Sequence, residues 1–344
     1  MDNLCHSLVG AALSEAGLKK RTALATATLV IGANLPDVDV LAYFWGPDEA
    51  LGFRRGWTHG ILALALWPFV LTGIMLAWDR HVRRRRRPDA VPADARALFL
   101  LAVISILSHP FLDWLNTYGM RWLMPFRDVW YYGDVLFIID PWIWLMLGIG
   151  WLWSRILSKR GSPQAERPAV IALVAVCFYI AGLWGIQLAA RSTARTTLTE
   201  QGLEIDRLMA GPVPVTPFRR EIVAESGDRY ALGTVDRFRY IPRQPPLIAK
   251  NEGHPAVARA AATREGEIFL HWARFPFFLV EEAPDAWIIR MTDARYTINP
   301  GTGFGALTVE VQKDVASRGG LPFETSPPVP LSHRPSTRPG EGER

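Results

Sequence analysis

The sequence predicts a mostly α-helical, polytopic membrane domain, built as a helical hairpin plus about four crossing helices, with a C-terminal β-rich or α+β extramembrane domain. Three observations carry this. The chain of 344 residues is 49% hydrophobic, and its apolar residues crowd into a few long runs in the first 190 positions, as bilayer-crossing helices require. The formal charge of +5 is gathered in short clusters between those runs. Orientation in a bilayer explains such clusters, so nucleic-acid binding is not expected. Beyond Arg191 the long runs give way to short, partly alternating segments between Pro and Gly turns. Two cysteines, Cys5 and Cys177, both in apolar surroundings, exclude a disulfide framework. No basic residue precedes the first apolar stretch, so no cleavable signal peptide is expected.

In chain order, residues 4–16 and 22–33 are apolar and rich in small side chains, joined by Gly17-Leu18-Lys19-Lys20-Arg21. Each is shorter than the roughly 20 residues of a full crossing, which predicts a hairpin of short or partly re-entrant helices. Asn34-Leu35-Pro36-Asp37-Val38-Asp39 follows, then a Gly- and Pro-containing loop to Arg54-Arg55-Gly56-Trp57-Thr58-His59. Residues 60–78 form a crossing despite Pro68 and run into the arginine cluster of residues 80–87. Residues 97–117 form the next, and Trp122, Trp130, Tyr131 and Tyr132 after it suit the headgroup region. Residues 135–157, interrupted by Asp140-Pro141 and ending at Lys159-Arg160, and residues 169–190 complete the membrane domain, 1–190. In the outer domain, 191–325, strands are expected at 219–223, 229–235 and 287–291 and a helix at 255–264. An ordinary surface salt bridge is expected among Asp293, Arg295 and Tyr296. The Pro-, Ser- and Gly-rich residues 326–344 read as a disordered tail.

Lys and Arg favour the cytoplasmic side, which places residues 80–87, the Lys19–Arg21 tip and Lys159-Arg160 inside. Alternation then brings His6, Asp37, Asp39, His59, His109, Asp113, Asp134 and Asp140 to the outer face, together with everything after Arg191. His109 and Asp113, at i and i+4 at the end of an uncharged run, share a helix face and can grip one ion; the alternative is that they only bond each other. Imidazole nitrogen and carboxylate oxygen are ordinary ligands for zinc or a similar divalent metal such as manganese. Three histidines with at least two carboxylates suffice for one ion, or for two sharing Asp113 or Asp37. Asp39, Asp134 and Asp140 are the surplus carboxylates, candidates for catalytic base, with turn or cap roles as the alternative. Arg54 and Arg55 are candidates to hold a phosphate, or else lipid headgroups. Asn34, Thr58 and Asn116 are candidates to support the ligands by hydrogen bonds. His81 lies in the arginine run on the opposite face, and His254, His271 and His333 lack ligand-like spacing.

The ordered set His6, Asn34-Leu35-Pro36-Asp37-Val38-Asp39, Thr58-His59-Gly60 and His109-Pro110-Phe111-Leu112-Asp113 resembles the membrane-bound, metal-dependent hydrolases of the YdjM type. More distantly it is similar to the zinc-dependent phospholipase C and P1 nuclease group, all-helical enzymes that also use an H-x-x-x-D helix. The resemblance covers about the first 190 residues and implies His6, Asp37, His59, His109 and Asp113 as metal ligands. The chain lacks the further histidines and the H-x-x-x-E helix of the phospholipase group, so a three-zinc site is not implied.

The expected function is that of a bacterial inner-membrane hydrolase with its C-terminal domain on the periplasmic or extracellular side. A metal-activated water would attack an ester there, most naturally a phosphoester of a lipid or nucleotide-like molecule. Membrane lipids are the expected surroundings. The alternative is a non-enzymatic protein with a structural ion site or transport role and a partner-binding outer domain. Transport would require polar residues along the crossings, and residues 60–78 and 169–183 offer almost none.

Overall fold

The computed structural model describes residues 1–296 and 304–313, except the side chains of residues 244–246. The expected disordered tail lies outside the described residues. The first part is helical: α1 (Asn3–Glu15), α2 (Ala25–Gly32), a 3-10 segment Leu35–Trp45, α3 (Pro47–Phe53), α4 (Ile61–Trp78), a π turn Asp79–Arg83 leading into the single turn α5 (Arg84–Arg86), α6 (Ala95–Trp114), α7 (Pro141–Lys159) and α8 (Arg167–Glu200). The stretch expected as a loop between Asp39 and Arg54 is therefore mostly helical. Pro36 and Pro47 sit in the first turns of their helices, where a missing N–H costs nothing.

Three helices among the described residues are long and apolar enough to cross a membrane: Ile61–Arg86, Ala95–Trp114 and Arg167–Glu200. A fourth is added if α2 and the 3-10 segment, bent by 46°, form one broken span; the expected hairpin paired α2 with α1 instead. α7 is 19 residues long but falls outside this set. Its four tryptophans and Arg155 lower its mean hydropathy. It packs instead between α1 and α8, with Ile143 and Leu147 in one core with Val9, Leu112 and Val176.

The basic clusters meet at one end of this bundle. Lys19 contacts Glu15 and Ser158, Lys20 pairs with Glu166, and Thr22 accepts from the amide of Asp94, so the hairpin tip lies beside the end of α7 and the starts of α6 and α8. The start of α1, the end of α6 and the start of α7 lie at the other end. There Trp144 Nε1 donates to Asp2, the side chain that caps α1.

The 34-residue α8 would span about 51 Å, well beyond a hydrocarbon core of roughly 30 Å. Its last turns therefore belong to the outer domain, where Ala190, Ala194 and Leu198 pack under a four-stranded antiparallel meander, β1 (Arg207–Pro212), β2 (Arg219–Ser226), β3 (Arg229–Asp236) and β4 (Arg239–Ala249). The chain continues through α9 (Pro255–Ala261) and α10 (Arg264–Trp272) to a second antiparallel meander, β5 (Pro276–Glu282), β6 (Ala286–Asp293) and β7 (Ala306–Gln312). The expected strands at 219–223, 229–235 and 287–291 fall inside β2, β3 and β6. The outer unit is thus two sheets with two short helices.

The outer domain is locked onto the membrane part by buried charge. Arg295 forks onto Asp293 and donates to the carbonyls of Thr117 and Trp272, with its guanidinium over the Trp272 ring. Burial pushes the Arg295 pKa down, but the adjacent Asp293 carboxylate lifts it above the usual arginine range. The expected surface salt bridge is instead a buried anchor. Trp130 and Tyr132, expected among headgroups, also pack beneath the outer domain, in one cluster with Phe269, Trp272 and Phe278.

Candidate metal centre

Four side chains from three separate parts of the chain converge at the outer-domain end: Asp37 from the 3-10 segment, His59 from the turn before α4, and His109 and Asp113 from the end of α6. One ligand atom of each lies within 4.8 Å of all the others, and all four residues are buried. His59 Nε2 is 3.1 Å from His109 Nε2, 3.9 Å from Asp37 Oδ1 and 3.6 Å from Asp113 Oδ2. His109 Nε2 is 3.6 Å from Asp37 Oδ1 and 3.5 Å from Asp113 Oδ2. A tetrahedral ion with bonds of about 2.0–2.1 Å needs ligand atoms roughly 3.3 Å apart, close to this spacing.

Hydrogen bonding turns these atoms toward one another. His109 Nδ1 is 2.7 Å from the carbonyl of Ala33. A carbonyl only accepts, so Nδ1 carries a proton and Nε2 is the nitrogen turned into the cluster. At His59, Nδ1 faces the Thr58 hydroxyl at 2.9 Å and Asp39 Oδ2 at 3.5 Å, which likewise leaves Nε2 for the cluster. The two Nε2 atoms then face each other at 3.1 Å beside two carboxylate oxygens. Asp37 Oδ1 and Asp113 Oδ2 are buried with no hydrogen-bond partner. Arg55 Nε at 3.1 Å from Asp113 Oδ2 and Arg54 at 3.5 Å from Asp37 Oδ1 offset the carboxylate charge, and a divalent ion could be shared among the four atoms as well.

Local sequence produces this geometry. Gly60 follows His59 because a Cβ there would lie 2.4 Å from the Met124 carbonyl oxygen. Arg55 adopts a left-handed backbone, φ 53°, unusual for a side chain of its size, and its amide donates to Asp39 Oδ2 at 2.8 Å. Arg121 braces the same turn by donating to the carbonyls of Gly52 and Arg54.

His6 was implied as a ligand by the resemblance, but it stands beside the four rather than among them. Its ring stacks on His109 at 3.8 Å, and its Nε2 is 3.3 Å from Asp113 Oδ1, the oxygen turned away from the other histidines. Both His6 nitrogens are buried without a hydrogen-bond partner. The amino nitrogen of Met1 also contacts Asp113 Oδ1. Asp113 therefore presents one oxygen to each side.

The candidate catalytic carboxylates are distributed differently from expectation. Asp39 lies behind His59, bonded to the Arg55 amide, on the Nδ1 side of the ring and away from the cluster. Asp134 forms a two-pronged ion pair with Arg274 of the outer domain, at 3.0 and 2.8 Å. Asp140 caps α7 by accepting from the amides of Trp142 and Ile143, and it also receives the Tyr179 hydroxyl. For Asp134 and Asp140 the expectation of a catalytic position is corrected: each carboxylate is committed to fixing a junction.

Arg55 is buried, with Nε 3.1 Å from Asp113 Oδ2 and Nη1 donating to Asn116 Oδ1, so it positions the cluster rather than reaching a substrate. Arg54 is 24% exposed, 3.5 Å from Asp37 Oδ1 and 3.7 Å from Asp39 Oδ1. Of the expected supporting residues, Thr58 and Asn116 do bond site residues, whereas the Asn34 amide bonds Ser7 and the Val30 carbonyl and so ties α1 to α2. Sequence reading missed Asn3, whose amide donates to Asp37 Oδ2 at 3.1 Å. Its position three residues before His6, on the same helix face, was the available signal. The Ala33 carbonyl and Arg121 gave none, because a backbone acceptor and a brace within a loop leave no pattern.

A helical membrane protein holding a buried histidine and aspartate cluster at one end of its bundle is the class defined by this fold and site. The chain belongs to the family described as YdjM inner membrane protein, which matches residues 1–190. It is also similar to the uncharacterised protein YfhP of Bacillus subtilis (strain 168), 24% identical over 153 residues. That match covers 42% of this chain and 43% of the relative, so the chain spans less than half the length of the relative it matches. No solved structure matches the chain. The resemblance to the phospholipase C and P1 nuclease group has no counterpart in these comparisons.

Proposed function

We propose that this is an integral membrane, metal-dependent hydrolase that cleaves an ester, with a phosphoester as the preferred bond, at the periplasmic face of the inner membrane. The observation that carries the reading is the convergence of His59 Nε2, His109 Nε2, Asp37 Oδ1 and Asp113 Oδ2, all buried, with spacing suited to one divalent cation. Zinc fits the mixed nitrogen and oxygen set, and manganese is the alternative. Such an ion supplies Lewis acidity and a water acidified toward neutral pH.

The protein's own groups do the rest. Asp37, Asp39 and Asp113 lie beside Arg54, Arg55 and the Met1 amino nitrogen, so the carboxylates that would hold the ion are set among positive groups that position them. Arg54, the partly exposed member, is placed to hold an anionic oxygen of the substrate. Water oxygen adds to the ester centre, the bond to the leaving oxygen breaks, and the water's proton ends on that oxygen.

Metal analysis and turnover of bis(p-nitrophenyl) phosphate by the full-length protein in detergent test this. The wild type is expected to carry zinc or manganese near stoichiometrically. His109→Ala and Asp113→Asn are expected to lose the ion and at least ~10²-fold in rate. The burial of all four ligand residues favours a second reading, a purely structural ion. Bound metal with no ester turnover would establish that reading and remove the hydrolase.

A further inference from the structure

The outer domain closes a cleft over Arg54. The cavity is about 300 Å³ and is walled by Tyr43, Leu51, Tyr118, Phe269, Trp272 and Phe304, with Arg54, Arg55 and Asp48 the charged groups that line it. Both parts of the chain contribute: the 3-10 segment, α3 and the stretch after α6 on one side, α10 and the start of β7 on the other. Its guanidinium end lies against the metal centre, since Arg54 reaches Asp37 and Asp39, and Arg54 Nε is buried without a hydrogen-bond partner. A pocket that is aromatic at one end and bears a partly exposed guanidinium at the other suits a molecule with an anionic head and an apolar body.

The side from which that molecule arrives is also marked. Tyr43 lines the cleft and belongs to a segment that turns apolar side chains outward: Val40, Leu41, Phe44 (88% exposed) and Trp45 (73%). That segment is the second half of the bent pair with membrane-span character. An apolar surface of this kind is stable against acyl chains and costly against water. The cleft is thus continuous with a lipid-facing wall, and a nucleotide-like molecule from the aqueous phase would gain nothing from it.

We propose that the cleft between the 3-10 segment and the outer domain binds a single-chain or lipid-like anionic amphiphile drawn laterally from the outer leaflet, with its phosphate at Arg54 and its chain against Tyr43 and Phe304. This rests on the hydrolase reading for what happens to the ligand, but not for its binding. The outer domain then acts as the substrate-selecting half of the site.

The test measures binding of dodecyl phosphate and of inorganic phosphate to full-length protein in nanodiscs. Tyr43→Ala and Phe304→Ala are the variants of choice, because both side chains are more than half exposed and their loss leaves the core intact. Dodecyl phosphate is expected to bind at least ~10-fold more tightly than inorganic phosphate, to weaken about 10-fold in each aromatic variant, and to lose most affinity in Arg54→Ala. Inorganic phosphate affinity should be unchanged in Phe304→Ala, whose ring packs on Trp272 and Tyr296 and not on Arg54. Equal affinity for the two ligands, or aromatic variants that bind dodecyl phosphate like wild type, would overturn the proposal. Turnover of bis(p-nitrophenyl) phosphate separates the two readings: amphiphile binding without turnover removes only the hydrolase, and turnover with no preference for the chain removes only the cleft.

Discussion

At the scale of single residues, the cluster is defined as much by what holds the ligands as by the ligands. His109 is oriented by the Ala33 carbonyl and His59 by Thr58 and Asp39, so each ring has one nitrogen occupied and one free. Asp39→Asn removes the carboxylate behind His59 while preserving shape, and it is expected to weaken zinc affinity 10- to 100-fold, measured by competition with a chelating dye. A variant that keeps zinc affinity but loses ester turnover would restore Asp39 to the catalytic role its sequence position suggested. The ligand residues themselves were legible. Asp37, His59, His109 and Asp113, with His6 beside them, stand in an apolar, helix-rich stretch where ionisable groups are costly, and cost without evident purpose is a readable signal. Asp134 and Asp140 gave the same signal for a different reason, because burial against Arg274 or a helix end also retains a carboxylate.

Among elements, the site depends on how closely α2 approaches α6. Gly32 makes that approach, since a Cβ there would lie 2.1 Å from Ser105 Oγ and 3.2 Å from Leu71 Cδ2. The next residue, Ala33, supplies the carbonyl that fixes His109. Gly32→Ala is expected to destabilise the protein by about 1–3 kcal/mol, read from thermal unfolding in detergent, and to lower zinc occupancy. Ser105→Gly in the same chain should recover most of both; no loss in the single variant would mean the helices have slack that the packing denies. Pro110 lies inside α6 and removes the N–H that would reach the Ile106 carbonyl. The helix nevertheless continues to Trp114, carrying His109 and Asp113 on one face. The i and i+4 spacing was readable for that reason, while the 3-10 path of residues 35–45 was not: local pattern does not separate it from a loop.

For the whole molecule, the outer domain is not an appendage. Its Arg295 and Asp293 are buried where the stretch after α6 meets α10, and Trp272 and Phe304 roof the cleft beside Arg54. Arg295→Ala would leave Asp293 buried without its partner and is expected to cost about 3–5 kcal/mol. Thermal unfolding together with limited proteolysis checks this, with faster release of the outer domain than in wild type. Unchanged protease resistance would show that apolar contacts alone hold the junction. Basic clusters at one end and the metal ligands at the other also make the bundle polar along its axis, as the distribution of Lys and Arg had indicated.

The sequence by itself determined the helical membrane part, the end of the bundle at which the ionisable residues gather, and most of the residues that cluster there. Each follows from a local cost: charge in an apolar run, or basic residues at a membrane boundary. Only the tertiary structure decided which carboxylates join the histidine cluster, that His6 stands one step aside, and that the C-terminal domain closes over Arg54. Those outcomes depend on distances between residues far apart in the chain, and hydropathy and spacing carry no record of such distances.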